Sequence, residues 1–461
     1  MAFMLSIALF GYCWIIGFAV LGVLYRRDDL IRTVLIAPAV GILVLVYFTY
    51  VLSRLGYPIG SIAWPLTAAL LAAAGAALVW RRSPLPGMRG LPYLLIVALA
   101  FAGSGWPLII DGFDWMAHLN PDAGNYMLDT DRLVRQPYIG LPDVDAWRNQ
   151  TDWASRYVAY PLDGIRTGTD LLFAWVVSVS GRDEPAAYMP LIVALHVAAL
   201  CAATALIGAA HRFARLLSGA LLAVAALSSV GVSLQLLGQE LGLVCLTLAS
   251  VLLLSPFYRL SLAALARFAA LAALMMAGFV LSYPEMLPFL GIGFLIYHGL
   301  GVKELRRYWR RGIVAGALIG IAALILIAPD AFGLFKFLLK QASASTESMR
   351  YPELFPYFLL PSGVAALWGL RPYAPGGTSL LGENLAIAIG FAMSGAMAIA
   401  AAWMIYRREA CAVMVVLMAA LGADLAVTNS GFGVFKLAMY AQPYLMTTAA
   451  LSVCLLLRVA R

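Results

Sequence analysis

Long apolar segments alternate with short polar breaks along almost the whole chain. Many of these segments contain 17–25 residues, the length that an α-helix needs to cross a membrane. Their succession predicts an all-α polytopic membrane protein. We expect about thirteen spans, at residues 3–24, 31–52, 59–80, 91–110, 186–210, 216–233, 240–256, 261–282, 286–302, 312–329, 384–406, 410–428 and 437–457.

Two polar segments are too long to be simple connections between spans, and they divide the chain. They follow the fourth and the tenth predicted span. The resulting regions are N-terminal spans (1–110), a first long outer loop (111–185), central spans (186–329), a second long outer loop (330–383) and C-terminal spans (384–461).

Composition supports the membrane assignment. Of 461 residues, 63% are hydrophobic and 12% are charged, which excludes an ordinary soluble domain. The first apolar segment, 3–24, is too long for the core of a signal peptide and has no cleavage site after it, so we expect a spanning helix there. All five cysteines lie inside apolar segments and show neither metal-ligand spacing nor a disulfide framework.

The basic residues are distributed unevenly between the two sides that thirteen spans imply. One side carries 19 of the 31 Lys and Arg residues with 4 acidic residues, and the other carries 12 basic and 19 acidic residues. Because short basic loops stay in the cytoplasm, the first side is predicted to be cytoplasmic. The net charge of +8 then reflects topology rather than nucleic-acid binding. Both long loops are predicted to face the periplasm of a bacterial inner membrane.

The first long loop contains a helix start with an acidic residue. Asn120 suits the N-cap, Pro121 the first helical position, and Asp122 the first turn, where the helix dipole favours an anion. We expect Asp129 and Asp131 on the solvated face of this helix, although either could assist the site or bind a cation. The apolar positions that follow at helical spacing indicate a helix lying on the membrane surface, and they are Met127, Thr130, Leu133 and Val134.

Two further apolar segments are too short to span. Residues 168–181 are expected to form a second interfacial helix in the first long loop. Leu334 to Leu339, flanked by Lys336 and Lys340, is expected to form an amphipathic element in the second.

Unusual polar residues collect at the predicted outer side of the spans. Charged groups at membrane depth are costly, so they are candidates for function. Together they suit an anionic lipid-linked substrate, because cations would hold its phosphate while a carboxylate acts as general base. The candidates are Asp122, Glu240, Tyr283, Glu285, Lys336, Lys340, Arg350 and Lys436.

Structural roles account for the same residues in part. Asp122 would stabilise its own helix by ~0.5 kcal/mol through the dipole alone. Glu240 and Glu285 would end their helices, and Lys436 would extend to the interface as a helix-end lysine. Lys336 and Lys340 would contact lipid head groups, and Arg350 would be an ordinary surface residue. His118, the one histidine in an outer loop, makes no metal site alone.

The segment Pro121-Asp-x-x-x-Tyr-x-x-x-x-x-x-Leu-Val-Arg-x-Pro137 resembles the first outer loop of the GT-C superfamily. These are membrane glycosyltransferases that use polyprenyl-phosphate-linked sugars. The resemblance covers roughly residues 90–215, with Arg166 to Gly181 in the place of the family's second interfacial helix. Members usually have one span before this loop, whereas four are expected here.

The resemblance implies an inverting glycosyltransferase that acts on the extracytoplasmic face. It implies that Asp122 is the catalytic aspartate. Lys436 and Arg350 are the cations that we expect to offset charge on the leaving polyprenyl phosphate. The acceptor is a glycan, a lipid or a protein, and the family is compatible with metal-free and metal-assisted chemistry, so a divalent metal is possible and no other cofactor is expected.

Three other functions fit a polytopic membrane protein. They are a transporter or flippase of lipid-linked or small solutes, a lipid-linked glycan polymerase or ligase, and a structural subunit of an envelope complex. Transporters place charged residues near mid-membrane and often contain internal repeats. Here the notable charges are predicted at one face and no repeat is visible, which favours the enzyme.

Overall fold

A computed structural model describes residues 1–25, 29–81, 86–112, 122–141, 144–149, 151, 166–225, 230–347, 361–370 and 382–459. These residues form α-helices, short 3-10 turns and loops, and no strand occurs among them. The helices are α1 (Ala2–Leu24), α2 (Leu30–Arg54), α3 (Ile59–Arg81), α4 (Leu91–Ile110), α5 (Asp122–Arg135), α6 (Val144–Arg148), α7 (Thr167–Ser180), α8 (Glu184–Thr204), α9 (Arg212–Val224), α10 (Val230–Ser233), α11 (Leu237–Leu253), α12 (Leu262–Ser282), α13 (Leu287–Leu300), α14 (Val302–Leu326), α15 (Ala331–Glu347), α16 (Pro361–Leu367), α17 (Glu383–Tyr406), α18 (Ala410–Val427) and α19 (Gly431–Val459).

Ten helices of the described chain are long and apolar enough to cross a membrane: α1, α2, α3, α4, α8, α12, α14, α17, α18 and α19. The prediction of a polytopic helical membrane protein is confirmed in this form, but the number thirteen is not. The predicted spans 216–233, 240–256 and 286–302 correspond to helices of fewer than 18 residues. These are α9 with α10, α11, and α13.

Close backbone contact holds α1 against α2. An ideal Cβ on Gly17 would lie 1.8 Å from the Ala37 carbonyl oxygen, and one on Gly41 would lie 1.9 Å from that of Cys13. Glycine is therefore needed at both positions, since small residues allow membrane helices to pack at short distance. Helix α2 also packs on α3, α7, α8 and α12, so it lies near the centre of the bundle.

One end of the bundle is held together by arginines, and we call it the basic face. Arg215 Nη1 donates to Asp29 Oδ1 at 3.2 Å, which joins α9 to the start of α2. Arg32 donates to the carbonyl oxygens of Ala205 and Val251 at 3.1 and 3.0 Å. These residues belong to the α1–α2, α8–α9 and α11–α12 connections, so three of the predicted basic loops lie at one end of the bundle.

The opposite end carries the described parts of the first long loop, and we call it the loop face. The Tyr138 amide donates to Ser53 Oγ at 2.8 Å, so the segment after α5 lies on the end of α2. Arg54 and Tyr50 donate to Asp330 at 2.8 and 2.6 Å. Asp330 precedes α15, so the two long loops begin on the same face.

The shorter helices also connect the two faces. Arg215, in α9, lies at the basic face. Gly238, at the start of α11, lies at the loop face, because an ideal Cβ on it would be 3.3 Å from Arg166, the residue just before α7. Helix α11 returns, since the carbonyl oxygen of its Val251 accepts from Arg32. Helix α13 follows Glu285 and places His298 Nε2 3.0 Å from the Leu253 carbonyl oxygen.

Helix α7 lies inside the bundle, although it was predicted to be interfacial. All side chains from Thr167 to Val177 are buried. Trp175 donates from Nε1 to Thr67 Oγ1 of α3 at 3.1 Å, and its ring stacks on Tyr12 of α1 at 5.0 Å. The reason is that residues 171–177 are apolar on all sides of the helix. Such a segment is stable where other helices or lipid surround it, and not at an interface with water.

Candidate functional site

Asp122 is the first residue of α5, as predicted, and it is exposed at the loop face. Buried Leu133 and Thr130 hold the rest of α5 against α7 and α3. The carboxylate of Asp122 interacts electrostatically with Arg166 and Lys436. The predicted cap residues Asn120 and Pro121 lie outside the described residues.

Arg166 lies next to α7 and binds the turn between α12 and α13. Its Nε is 3.1 Å from Glu285 Oε1, and its guanidinium carbon is 5.1 Å from the centre of the Tyr283 ring. Gly238 approaches its Nη1 from α11, and the same glycine packs against the hydroxyl of Tyr126. Arg166 is thus held between two elements that are far apart in sequence, the turn after α12 and the start of α11.

Tyr283 and Glu285 lie in the turn between α12 and α13. Tyr440 of α19 donates to the Tyr283 hydroxyl at 3.1 Å. Burial raises the pKa of Tyr283 to about 12, although Arg166 opposes the shift, so this tyrosine stays neutral. Glu285 Oε2 is buried and has no hydrogen-bond partner within the described part of the chain.

Lys436 brings a second cation from the start of α19. Its Nζ lies 4.2 Å from the centre of the Phe432 ring, a cation–π distance. The lysine is half-buried and interacts electrostatically with Arg166, Asp122 and Glu285. We call Asp122, Arg166, Tyr283, Glu285 and Lys436 the Asp122 cluster.

The chemistry of the Asp122 cluster follows from its charges. Glu285 is paired directly with Arg166. Asp122 interacts electrostatically with Arg166, and Lys436 interacts electrostatically with Arg166 and Glu285. An exposed carboxylate can accept a proton, while a lysine and an arginine can bind a phosphate. Of the predicted site residues, the structure brings together Asp122, Tyr283, Glu285 and Lys436.

Glu240 is placed elsewhere. It faces the interior from the first turn of α11, is fully buried, and has its Oε2 3.3 Å from Nδ1 of His196 in α8. An ideal Cβ on Gly231 would lie 1.9 Å from its other oxygen, so a side chain at that position would require the Glu240 carboxylate to move. Glu240 therefore forms a buried pair with His196, and no contact joins it to the Asp122 cluster among the described residues.

Asp129 is buried, and the expectation that it lies on the solvated face is wrong. Arg132 donates from Nε to Asp129 Oδ1 at 2.9 Å, and Asp170 of α7 hydrogen-bonds to the same aspartate. Burial raises the pKa of Asp129, and burial together with the Asp129 charge raises that of Asp170 well above its usual range. Asp131 is partly exposed and pairs with Arg135.

The two other predicted cations that the structure describes lie on α15. Lys336 and Lys340 are exposed on α15, a helix that packs against the turn Pro284–Met286. Arg350 and His118 lie outside the described residues. No group of three or more His, Cys, Asp or Glu side chains is arranged to hold a metal ion in the part of the chain that the structure describes.

The sequence interpretation missed Arg166, Asp170, Tyr126 and Tyr440. Arg166 and Asp170 flank the start of an apolar segment, and charges beside a buried helix are a signal of function or of pairing. That signal was hidden because the helix was expected on the surface. Tyr126 is the tyrosine of the GT-C-like segment, where it was given no role, and Tyr440 lies in a helix with ordinary aromatic content and carries no such signal.

No protein-family model matches this chain, and no curated protein does.

Proposed function

We propose that this protein is a polytopic membrane glycosyltransferase of the GT-C type, which moves a sugar from a polyprenyl-phosphate donor to an acceptor at the loop face. The observation that supports the proposal is the position of Asp122. An exposed carboxylate opens a helix at one face of the bundle and faces Arg166 and Lys436. A base beside two cations suits attack on a phosphate-linked sugar.

In this mechanism Asp122 accepts the proton of the acceptor hydroxyl. The hydroxyl oxygen bonds to the anomeric carbon from the side opposite the phosphate, and the bond from that carbon to the phosphate oxygen breaks, so the configuration inverts. Lys436 and Arg166 offset the charge that develops on the departing polyprenyl phosphate. Arg350 is a further candidate for this role, as the sequence predicts.

The topology belongs to the same proposal. The chain crosses a bacterial inner membrane thirteen times, with the basic face in the cytoplasm and the loop face in the periplasm. Its partners are the lipid-linked donor, an acceptor glycan, lipid or protein, and membrane lipids, with no nucleic acid. A chelator added to the transfer assay decides whether a divalent metal takes part.

The test replaces Asp122 with Asn and measures transfer from a radiolabelled lipid-linked donor in membranes. Asparagine still suits a helix start but removes the base, so transfer is expected to fall by roughly a hundredfold or more at normal protein abundance. Asp131→Asn, an aspartate in the same helix that pairs with Arg135, is the matched control and should retain activity. Undiminished transfer by Asp122→Asn would refute the catalytic role.

A transporter is the second candidate, and the buried Glu240–His196 pair favours it. Titratable pairs between membrane helices are typical of proton-coupled transport. If the wild type transfers no sugar from any lipid-linked donor, while Glu240→Gln abolishes solute uptake into proteoliposomes, the transporter replaces the enzyme.

A further inference from the structure

A cavity of about 730 Å³ opens at the basic face, on the opposite side of the bundle from the Asp122 cluster. It lies between the start of α2, the turn before α4 and the start of α9. Among the described residues, the charged side chains that line it are Arg89, Arg212 and Arg215, with Asp29 as the one acidic residue.

A second cavity of about 550 Å³ adjoins the first and is almost wholly apolar. It lies between α1, α2 and α4, where Phe10, Trp14 and Val97 line it. The two cavities share Ile31, Pro86, Met88 and Tyr93 in their walls. They therefore form one groove with a charged end and an apolar end.

The groove exists because α1 and α4 diverge toward the basic face. Near the loop face the helices touch, with Phe3 and Phe10 packed edge-on against Phe101 at 6.3 and 5.4 Å. Leu91 and Leu94, at the other end of α4, line the apolar cavity and are exposed. The apolar end therefore opens sideways, toward the lipid that surrounds a membrane protein.

The charges at the other end leave a net positive site. Asp29 neutralises Arg215, which is buried and bound through both of its terminal nitrogens. Arg89 and Arg212 are exposed on the cavity wall. Two exposed guanidinium groups at the level of the lipid head groups attract an anionic phosphate.

We propose that this groove binds one phospholipid with a negatively charged head group. Its acyl chain fills the apolar cavity beside Trp14, and its phosphate contacts Arg89 and Arg212. The site is independent of the proposed glycosyl transfer, because none of its residues belongs to the Asp122 cluster. The bound lipid would fill the groove between α1 and α4 and join these two helices near the basic face.

The first test compares lipid binding to the purified full chain by native mass spectrometry, with phosphatidylglycerol and phosphatidylcholine as probes. The wild type is expected to bind phosphatidylglycerol at least tenfold more tightly. Arg89→Gln combined with Arg212→Gln should weaken that binding roughly thirtyfold, since each basic residue near an anionic lipid strengthens binding about fivefold. Arg267→Gln, an exposed arginine on α12 outside both cavities, is the matched control.

The second test fills the apolar cavity. Gly11 lines it, and an ideal Cβ at Gly11 meets nothing within 4 Å, so Gly11→Leu places its side chain in the groove without a clash. Gly75→Leu in α3 is the matched control, because its Cβ also meets nothing within 4 Å and it lines neither cavity. Gly11→Leu should lose most phosphatidylglycerol binding, and Gly75→Leu should keep it.

Glycerol phosphate, which carries the phosphate without acyl chains, separates a lipid site from an anion site. The proposal requires that it compete at least a hundredfold less well than the lipid. Equal competition would mean that the groove binds a free anion and would overturn the proposal. Equal binding of the two lipids, or unchanged binding in both the arginine double variant and Gly11→Leu, would also overturn it.

Discussion

Two carboxyl groups meet in the buried contact between α5 and α7. Asp129 is paired with Arg132, and Asp170 hydrogen-bonds to Asp129 from the first turn of α7. Burial raises the pKa of both carboxyl groups, and the charge of Asp129 raises that of Asp170 further, because two carboxylates in a dry site do not both ionise readily. The pair therefore holds a proton that the unfolded chain would release.

This proton makes stability depend on pH. Because the folded-state pKa values are raised, the stabilisation is complete below the unfolded pKa of about 3.9 and is lost as pH rises through the folded values. Asp170→Asn keeps a hydrogen-bond donor toward Asp129 and removes this titration. We expect its melting temperature in detergent to fall less than that of the wild type between about pH 5 and 8.

Asp131→Asn, a change at a partly exposed residue of the same helix, is the control and should keep the wild-type slope. A wild-type melting temperature that rises steadily over this pH range would contradict the assignment of a shared proton.

Single residues could be predicted where the signal is local. Asp122 was placed at a helix start because capping preferences act over a few neighbouring residues, and the helix does begin there. The burial of Asp129 could not be predicted in this way. Its partner Asp170 lies some forty residues later, and only the packing of α7 on α5 brings the two together.

At the level of elements, one ion pair joins α2 to α9. Arg215 is almost fully buried and binds both oxygens of Asp29. Burial would raise the pKa of Asp29, but Arg215 and Arg32 lower it below its usual value. This stabilisation is present above the unfolded pKa and is lost as pH falls through the lowered folded value.

Asp29→Asn is expected to destabilise the protein strongly. Asparagine can still cap α2, as Asp29 does by accepting from the Arg32 amide at 3.2 Å, but it leaves the buried Arg215 without a counter-charge. Removing one partner of a buried pair costs ~3–5 kcal/mol, against ~0–1 kcal/mol for a surface pair. Heat denaturation in detergent measures the effect, and Asp131→Asn supplies the surface comparison.

If Asp29→Asn and Asp131→Asn melted at the same temperature, the pair between α2 and α9 would contribute little. The packing of α2 against α9 would then be stabilised mainly by apolar contacts.

Helix lengths were predicted well where apolar segments are unbroken, and poorly elsewhere. Residues 216–233 carry no charge and are mostly apolar, yet α9 ends at Val224, where the backbone of Ala225 is extended, with ψ 120°. Hydropathy reports that a segment avoids water, but it does not report where the backbone leaves the helix. The same limitation explains α7, whose apolar surface is satisfied by neighbouring helices as well as it would be by lipid.

For the whole molecule, the property that can be tested most directly is the side of the membrane on which each face lies. Leu141 is exposed at the loop face and Arg407 is exposed beyond α17, near the Glu304–Arg408 pair that we place on the basic face. Leu141→Cys should react with a membrane-impermeant maleimide from outside intact cells. Arg407→Cys should react only after permeabilisation. The five native cysteines are buried and should give little background.

Labelling of both positions from the same side would contradict the alternation of faces. Labelling from opposite sides but in the reverse order would keep the fold and reverse the proposed orientation.

The composition of the Asp122 cluster could not be predicted as a whole. Its members come from the start of α5, the residue before α7, the turn after α12 and the start of α19, and no sequence period relates them. What the sequence does show is that Arg166, Tyr283, Glu285 and Lys436 each lie beside an apolar segment, whereas Asp122 lies in a polar loop. Their convergence depends on how the helices pack, which hydropathy does not describe.

The origin of Lys436 in α19 has a consequence for biosynthesis. Membrane helices are inserted as the ribosome produces them, so Asp122, Arg166 and Glu285 reach their places well before Lys436 is made. Until then the cluster has two acidic groups and one cation. A nascent chain that stalls before α19 would hold an uncompensated carboxylate at the loop face, and synthesis of α19 is the step that completes the cluster.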